Sequence, residues 1–306
     1  MSACNVRPMA ALCLGEAIVD LVCERPGADW DQADAFVPHF GGAVANVAVA
    51  AARLGAEVAL AGGAGDDPWG RWLRARLADE GVDLRWFALL DGLATPVAFV
   101  VTDEDGEPRY QIYGEGIAAT IASVSQHLDE AVAASDALFI SSNTLAGDDE
   151  RALTLRARER FLAAGRPVCF DPNLRLHRWP NAGAAIAACR QCIPGAFLVR
   201  CNQREAELLT GRAEPERAAR ALVDAGAGLA VVTLGADGAL LRGEASADAP
   251  PHPARVVSTM GAGDALTGTL LGRLARAGWR PSAAAQALEE AVEAAARATE
   301  RWGAVA

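Results

Sequence analysis

The chain has 306 residues, of which 52% are hydrophobic and 22% are charged, and its formal net charge is −11. This composition is typical of a folded globular protein, and the acidic charge argues against nucleic acid or an anionic membrane as a partner. The sequence has no Lys, so all 28 basic residues are Arg; a Walker A phosphate loop, a protein-kinase centre and Schiff-base chemistry are excluded because each needs a Lys amine.

The first half of the chain predicts strands and helices in alternation, followed by a β-hairpin. An apolar run broken by Gly15 predicts the first strand, and a stretch of small residues that stops at Gly55 predicts the first helix. The turn sequence DEDGEP separates the two β-rich runs of the hairpin. The predicted ranges are strands at 10–23 and 58–61, helices at 41–54 and 71–80, a glycine-rich loop at 62–70, and hairpin strands at 95–102 and 109–113.

The second half alternates regularly between strands and helices, which is typical of a mostly parallel sheet covered on both faces. The predicted strands are 137–141, 167–170, 197–201, 229–233 and 239–242, the helices are 150–164, 182–192, 205–210 and 214–225, and 247–254 is a surface loop. Ligands of such sheets bind at the carboxyl ends of the strands. The polar residues Asp171, Asn202 and Thr233 follow strands and are expected at that edge.

The cysteines and the N-terminus predict a reduced, cytoplasmic protein. Seven Cys form no disulfide framework, and the single C-x-x-C at Cys189 and Cys192 lacks the second pair or the His of a metal site. We find no secretory signal sequence and no run of 18 apolar residues.

The segment 256–271, VVSTMGAGDALTGTLL, predicts an anion site that needs no Lys. Its glycines precede an apolar helical run, where free backbone N–H groups and the helix dipole attract negative charge. In the sequence GAGD (Gly261, Ala262, Gly263, Asp264), the acid is either a helix N-cap or a base that accepts a hydroxyl proton. Spacing alone leaves both interpretations open.

This segment resembles the C-terminal signature of the ribokinase-like (PfkB) carbohydrate kinases, and 41–55 (GGAVANVAVAAARLG) resembles their N-terminal signature. Other matching segments, in order, are LGEAIVD (14–20), GGAGDDPWG (62–70), VRCNQREAELLTG (199–211) and VVTLGADGAL (231–240). The resemblance covers nearly the whole chain. It implies a single α/β kinase domain over 1–306, with a central, mostly parallel sheet flanked by helices on both faces. It also implies a small, discontinuous β-sheet lid built from about 16–40 and 87–116.

The resemblance also assigns roles to residues at matching positions. Asp264 is the expected catalytic base, and Gly261, Ala262 and Gly263 complete an anion hole with it. The residues expected to bind the substrate are Asp20, Gly41, Gly42, Asn46 and Phe99. Arg175 is also expected to bind the substrate, because it follows a strand end at the ligand crevice, from which it could also reach the phosphates of ATP. The residues expected near ATP are Asn202, Thr233, Gly235, Gly238 and Gly263. Asn202 and Glu205 are expected to organise Mg²⁺ through water or phosphate.

The reaction implied by the resemblance is Mg²⁺-dependent transfer of the terminal phosphate of ATP to a hydroxyl of a small sugar. SSNTLAG (141–147) and FDPNLRLHRWP (170–180) are most similar to bacterial fructokinases and 2-keto-3-deoxygluconate kinases, and fit sugar kinases better than nucleoside kinases. Phosphorylation of D-fructose to fructose 6-phosphate is the first expectation. A 2-keto-3-deoxygluconate kinase and a non-catalytic sugar or nucleotide sensor are the alternatives. Because relatives often dimerise through the lid, a homodimer is a further expectation.

The sequence departs from the family pattern at a few positions. Ser258 replaces an Asp that helps to bind a monovalent cation in related kinases, which argues against a requirement for potassium. Gly114 stands where the lid usually carries a sugar-contacting Arg, and Thr120 replaces the acid that usually follows. The sequence stops soon after Gly303, so part of the usual C-terminal wall near the base is expected to be missing. These changes weaken the assignment to fructose more than the assignment to a kinase.

Overall fold

The structure, a computed structural model, describes residues 11–114 and 116–305. The predicted first strand began at Ala10, which lies outside the described residues. The strands in chain order are β1 (Ala11–Leu14), β2 (Ile18–Val22), β3 (Val37–Gly41), β4 (Val58–Gly65), β5 (Phe87–Leu90), β6 (Val97–Thr102), β7 (Pro108–Tyr113), β8 (Ala137–Ser141), β9 (Val168–Asp171), β10 (Leu198–Asn202), β11 (Leu229–Thr233), β12 (Ala239–Gly243) and β13 (Ala247–Ala249). The α-helices are α1 (Ala43–Arg53), α2 (Pro68–Asp79), α3 (Gly116–Ser123), α4 (Leu128–Ala134), α5 (Asp148–Ala163), α6 (Ala182–Gln191), α7 (Gln203–Thr210), α8 (Pro215–Asp224), α9 (Ala262–Arg276) and α10 (Pro281–Ala298).

The larger of two sheets has nine strands in the order β13-β12-β11-β10-β9-β8-β1-β4-β5. Neighbours from β11 to β5 are parallel, and β12 and β13 extend the sheet antiparallel at one edge. Buried side chains of α1, α2, α9 and α10 pack in one cluster, and those of α3, α5, α6 and α8 pack in another. This confirms the predicted mostly parallel sheet flanked by helices on both faces. Within the described residues, no helix is long and apolar enough to cross a membrane.

The second sheet, called the small sheet below, has the strand order β3-β2-β6-β7. Its β6–β7 pair confirms the predicted hairpin, and β2 and β6 pair in parallel. The predicted lid segment 87–116 begins too early, because β5 hydrogen-bonds to β4 of the larger sheet. At its other end, residue 115 lies outside the described residues and α3 begins at Gly116.

Two of the boundary errors fall in glycine-rich segments. The predicted loop 62–70 is instead the end of β4 and the first turn of α2. The strand can continue through residue 62 only because that residue has no side chain. A Cβ at Gly62 would lie 2.3 Å from the carbonyl oxygen of Gly15. Gly41 ends β3 and does not begin α1, and the predicted surface loop at 247–254 begins with the edge strand β13. Four elements of the structure, β3, β5, α3 and α4, were not predicted from the sequence.

Close packing of α9 against α1 brings the N-termini of the two helices together. A Cβ added to Gly268 of α9 would lie 2.4 Å from the Cβ of Ala50 and 2.8 Å from the carbonyl oxygen of Val47 in α1. Only a residue without a side chain permits such an approach. The packing fixes the relative positions of Asn46 and Asp264, which lie in the first turns of these helices.

We expect Gly268→Ala to lower the free energy of unfolding by about 1–3 kcal/mol, the usual cost of overpacking, although Ala is the better helix former by about 1 kcal/mol. Urea unfolding measures this change. Gly272→Ala on the same helix is the matched control, because its nearest neighbours would lie 3.2–3.4 Å away, and it should lose less stability. A Gly268→Ala protein as stable as the wild type would contradict the close packing.

Candidate active site

A cavity of about 570 Å³ lies between the carboxyl edge of the larger sheet and the small sheet. The larger sheet contributes residues that follow β1, β8 and β9 and residues of β10, and the small sheet contributes residues of β2 and β7. The N-terminal turns of α1 and α9 complete the lining. Among the predicted site residues, those that line the cavity are Asp20, Gly42, Asn46, Arg175, Asn202, Gly261, Gly263 and Asp264.

Asp264 lies in the first turn of α9, where it is recessed into the cavity wall. The side-chain amide of Asn46 donates a hydrogen bond of 2.8 Å to its Oδ2. Burial raises the pKa of Asp264 to about 7, repulsion from Asp171 adds to this, and the Asn46 hydrogen bond and the charges of Arg175 and Arg200 oppose it. A carboxyl with this pKa can accept a proton near neutral pH.

Asp20 is a second buried carboxyl facing the same cavity. Burial raises the pKa of Asp20 to about 7, and repulsion from Asp264 and Glu16 adds to the shift. Arg175 opposes it, and its guanidinium lies 5.7 Å from the centre of the Tyr110 ring. Arg175 therefore counters the negative charge of both aspartates from the side of the small sheet.

Three buried oxygen atoms in the cavity wall have no hydrogen-bond donor among the described residues. They are Glu16 Oε2, Asp20 Oδ1 and Asn46 Oδ1. The other oxygen of Glu16 is satisfied, because it accepts from the backbone N–H of Ala43 (3.0 Å) and from Asn143 (2.9 Å). Buried acceptors without donors are costly and rare in folded proteins. A ligand with several hydroxyl groups would supply the missing donors.

The GAGD segment forms the predicted turn at the start of α9. Gly261 is the N-cap residue with φ of 78°, and Gly261 and Gly263 line the cavity. Ala262 differs from the prediction: it does not line the cavity, and its N–H donates to the carbonyl of Thr259 (3.3 Å). The first-turn N–H groups at 263 and 264 have no partner within the helix and are the better candidates for binding an anion.

The last described residues pack directly onto this turn. Ala304 is buried, and a Cβ at Gly261 would lie 2.3 Å from its Cα. The C-terminal wall that was expected to be partly missing is therefore formed at this point by Ala304.

Asn202 and Glu205 form a capping box at the start of α7. The Asn202 side chain accepts from the Glu205 N–H (2.8 Å), and Glu205 Oε2 accepts from the Asn202 N–H (2.9 Å). Glu205 Oε1 accepts from the Leu174 N–H (2.7 Å), so both carboxylate oxygens are committed to the backbone. The described residues contain no group of three acidic, His or Cys side chains able to hold a metal. Since Mg²⁺ often takes most of its ligands from phosphates and water, these residues fit an indirect role.

Phe99 lies outside the cavity, which corrects its predicted contact with the substrate. Side chains alternate along β6, and the Phe99 ring packs edge-to-face with Phe36 (5.0 Å) and Tyr113 (5.6 Å) on the outer face of the small sheet. On β7 the inner positions belong to Tyr110 and Ile112, which do line the cavity.

Other predicted residues do not line the cavity. The backbone of Gly41 is in close contact with the Asp20 carboxylate. Thr233 ends β11 and accepts a hydrogen bond of 3.0 Å from Arg200. Gly235 and Gly238 form the turn between β11 and β12, with positive φ angles of 63° and 92°. Their predicted contact with ATP remains a prediction.

Several residues that line the cavity were not predicted from the sequence, namely Glu16, Tyr110, Asn143 and Arg200. Glu16 and Asn143 follow the carboxyl ends of β1 and β8, so the rule that identified Asp171 could have found them. Arg200 is a charge inside an otherwise apolar strand, which is also a visible signal. Nothing in the sequence of β7 indicated that Tyr110 would face the cavity.

The tip of the β6–β7 hairpin touches the segment before α9. The N–H of Thr259 donates a hydrogen bond of 2.8 Å to the carbonyl of Gly106 in the hairpin turn. The small sheet is therefore joined to the segment that leads into α9.

Comparison with known proteins gives consistent matches over nearly the whole chain. The model of the pfkB family of carbohydrate kinases matches residues 10–305. Fructokinase-1 of Oryza sativa subsp. japonica is 35% identical over 262 residues, which cover 85% of this chain and 81% of that protein. The crystal structure of a Vibrio cholerae O395 fructokinase with fructose, ADP and calcium bound has a TM-score of 0.84 at 30% identity, covering 97% of this chain and 95% of that one. The Salmonella enterica aminoimidazole riboside kinase, complexed with aminoimidazole riboside and an ATP analog, has a TM-score of 0.79 at 30% identity, with coverage of 97% and 95%.

The raised pKa of Asp264 predicts a pH-dependent cost to stability. Between the unfolded pKa of about 4 and the folded pKa of about 7, the folded state binds the proton more tightly, so stability falls as the pH rises through this window. We expect Asp264→Asn to raise the free energy of unfolding at about pH 8 by at least about 1 kcal/mol. The gain should shrink toward about pH 4.

Urea unfolding at several pH values measures this difference. Asp31→Asn makes the same charge change at an exposed position and should alter stability little at any pH. An Asp264→Asn protein no more stable than the wild type at the higher pH would show that this carboxyl is not held in a charge-disfavouring environment.

Proposed function

The chain belongs to the pfkB family of carbohydrate kinases. We propose that it transfers the terminal phosphoryl group of ATP to a hydroxyl of a small neutral sugar. The first candidate reaction is the phosphorylation of D-fructose to fructose 6-phosphate. The observation that carries the proposal is Asp264, held by Asn46 at the N-terminus of α9, in a cavity lined by three hydrogen-bond acceptors without donors.

The proposed reaction is a direct in-line transfer. The substrate hydroxyl loses its proton to the Asp264 carboxylate, and its oxygen bonds to the γ-phosphorus. The bond from that phosphorus to the bridging oxygen breaks, and ADP leaves with the electron pair. The N–H groups at 263 and 264, together with the dipole of α9, stabilise the charge on the transferring group. The hairpin contact between Gly106 and Thr259 helps to exclude water.

The lining of the cavity supports a neutral polyhydroxyl substrate. Glu16 Oε2, Asp20 Oδ1 and Asn46 Oδ1 are acceptors that sugar hydroxyls would satisfy. A sugar acid such as 2-keto-3-deoxygluconate would bring a carboxylate close to Asp20 and Asp264, and Arg175 already offsets the charge of these two groups. Aminoimidazole riboside is a second candidate, because a kinase of that substrate has a similar structure.

ATP is the proposed phosphoryl donor, because the similar structures contain ADP or an ATP analog. When bound, Mg²⁺ would neutralise phosphate charge, with Asn202 and Glu205 acting through water or phosphate. At position 258 the cavity region has a buried Ser whose Oγ accepts from the Met260 N–H (3.2 Å), so no carboxylate is available there for a monovalent cation. We infer that potassium is not required.

A homodimer through the small sheet also remains a proposal. The outer face of that sheet carries the edge-to-face rings of Phe36, Phe99 and Tyr113, and Tyr113 is 50% exposed. This aromatic face is the surface on which such a dimer would form.

The proposal is tested by ATP consumption against fructose, ribose, 2-keto-3-deoxygluconate, gluconate and aminoimidazole riboside, with Mg²⁺ and with or without potassium. We expect turnover on fructose, changed less than about twofold by potassium. Asp264→Asn should lower kcat by about 10²–10⁴-fold, the usual contribution of a general base. Asp31→Asn is the control for the charge change and should retain wild-type activity.

Three results would contradict the proposal. Turnover on a sugar acid alone would refute the neutral substrate, and an Asp264→Asn protein with wild-type kcat would refute the base. A wild type that binds fructose and ADP in calorimetry without any turnover would indicate a non-catalytic sensor.

A further inference from the structure

Arg200 is a buried cation to which the mechanism above assigns no role. It lies in β10, only 9% exposed, on the side of the strand that faces α9. Its side chain reaches the carboxyl edge of the larger sheet and lines the cavity. A buried Arg is uncommon and is normally paired, so its partners decide what it can do.

The guanidinium is anchored on one side only. NH1 donates to Asp171 Oδ2 (3.1 Å) and NH2 donates to Thr233 Oγ1 (3.0 Å). Asp171 Oδ2 is itself fixed by the hydroxyl of Thr267 in α9 (2.9 Å). The ends of β9 and β11 and the first turns of α9 therefore hold the guanidinium in a single orientation.

Part of the donor capacity of Arg200 remains unused. A guanidinium has five N–H donors, and the Nε of Arg200 has no hydrogen-bond partner among the described residues. The group also lies directly against the anion-binding turn, because a Cβ at Gly263 would be 2.7 Å from NH1 and 2.9 Å from NH2. A guanidinium with spare donor capacity thus borders the turn that carries the free N–H groups of α9.

The other cations of the cavity are less suited to this position. Arg175 lies over the ring of Tyr110 and faces Asp20. Arg178 donates to the carbonyl of Asn143 (2.9 Å), after β8, and Arg109 donates to Asp29 (3.0 Å) at an exposed position. Arg200 is the one that combines burial, rigid anchoring and contact with Gly263.

We propose that Arg200 binds the γ-phosphate of ATP and stabilises its charge during transfer, and that Asp171 is a positioning residue for Arg200. This inference rests on the proposed kinase function and adds a catalytic cation to it. Arg suits the role because its planar donors match phosphate oxygens. A cation already fixed in place needs no reorganisation as the reaction proceeds.

The test compares ATP and ADP binding by calorimetry without sugar, and kcat with sugar, for the wild type and Arg200→Gln. We expect ATP affinity to fall more than about tenfold and ADP affinity less than about threefold, since only ATP carries the γ-phosphate. We expect kcat to fall about 10²–10³-fold, as for the loss of one oxyanion-hole donor. Asp171→Asn, which keeps the cation and loosens its anchor, should lower kcat by less.

Arg200→Gln leaves Asp171 buried without its cation, which can prevent folding. The double variant Arg200→Gln/Asp171→Asn removes both charges and is measured in parallel. The NMR signal of the Arg200 Nε–H group is assigned as the one that disappears in Arg200→Lys. In the wild-type protein, this signal should shift when ATP is added and should not shift when ADP is added. This measurement needs no folded Gln variant.

A merely structural ion pair would alter thermal stability without changing the preference for ATP over ADP. A folded Gln variant with wild-type preference and kcat within about threefold of the wild type would overturn the inference, and so would an Nε signal that ATP does not shift. The two proposals can fail separately. A wild type that phosphorylates none of the sugars but shows Arg200-dependent ATP binding would refute the kinase function and support the phosphate site.

Discussion

The hydrogen bond from Asn46 to Asp264 is the interaction on which the rest of the site depends. It joins two residues that are 218 positions apart in the sequence, and it exists because α1 and α9 pack closely at Gly268. It fixes the carboxylate at the N-terminus of α9, beside the free N–H groups. It also opposes the rise in pKa that burial imposes on Asp264, so part of the group is ionised near neutral pH.

The cavity contains several buried charged side chains that do not stabilise the fold. Asp20 is repelled by Asp264 and by Glu16, Arg175 counters the charge of both aspartates, and Arg200 counters the charge of Asp264. Buried charges and unpaired acceptors cost stability, so this arrangement is best explained by a ligand that completes it. Sugar hydroxyls would satisfy the acceptors, and phosphate would satisfy the unused donors near Gly263. Both kinds of unsatisfied group belong to residues that line one cavity, as a phosphoryl transfer between two substrates requires.

The periodic features of the sequence predicted most of the fold, whereas the orientation and the partners of several site residues depend on tertiary contacts. The alternation of strand and helix patterns predicted the larger sheet, and the segment GAGD predicted the turn at the start of α9. The strand through Gly62 was missed because it depends on a close approach to Gly15, which no local pattern encodes. Phe99 was assigned to the cavity, but pairing of β6 with β7 and β2 turns it outward and places Tyr110 inward. Arg200 acquires its significance only from Asp171, Thr233 and Gly263, which come from three other segments.

The pH dependence of kcat/KM for the wild type and Asn46→Leu tests the central claim most directly, because this quantity reports the ionisation of the free enzyme. If Asp264 is the base, wild-type kcat/KM should fall below an apparent pKa of about 7. Removing the Asn46 donor should move this limb to higher pH, since the hydrogen bond stabilises the ionised carboxylate. A profile without an acid limb, or a limb at the same pH in both proteins, would contradict a base at Asp264 tuned by Asn46.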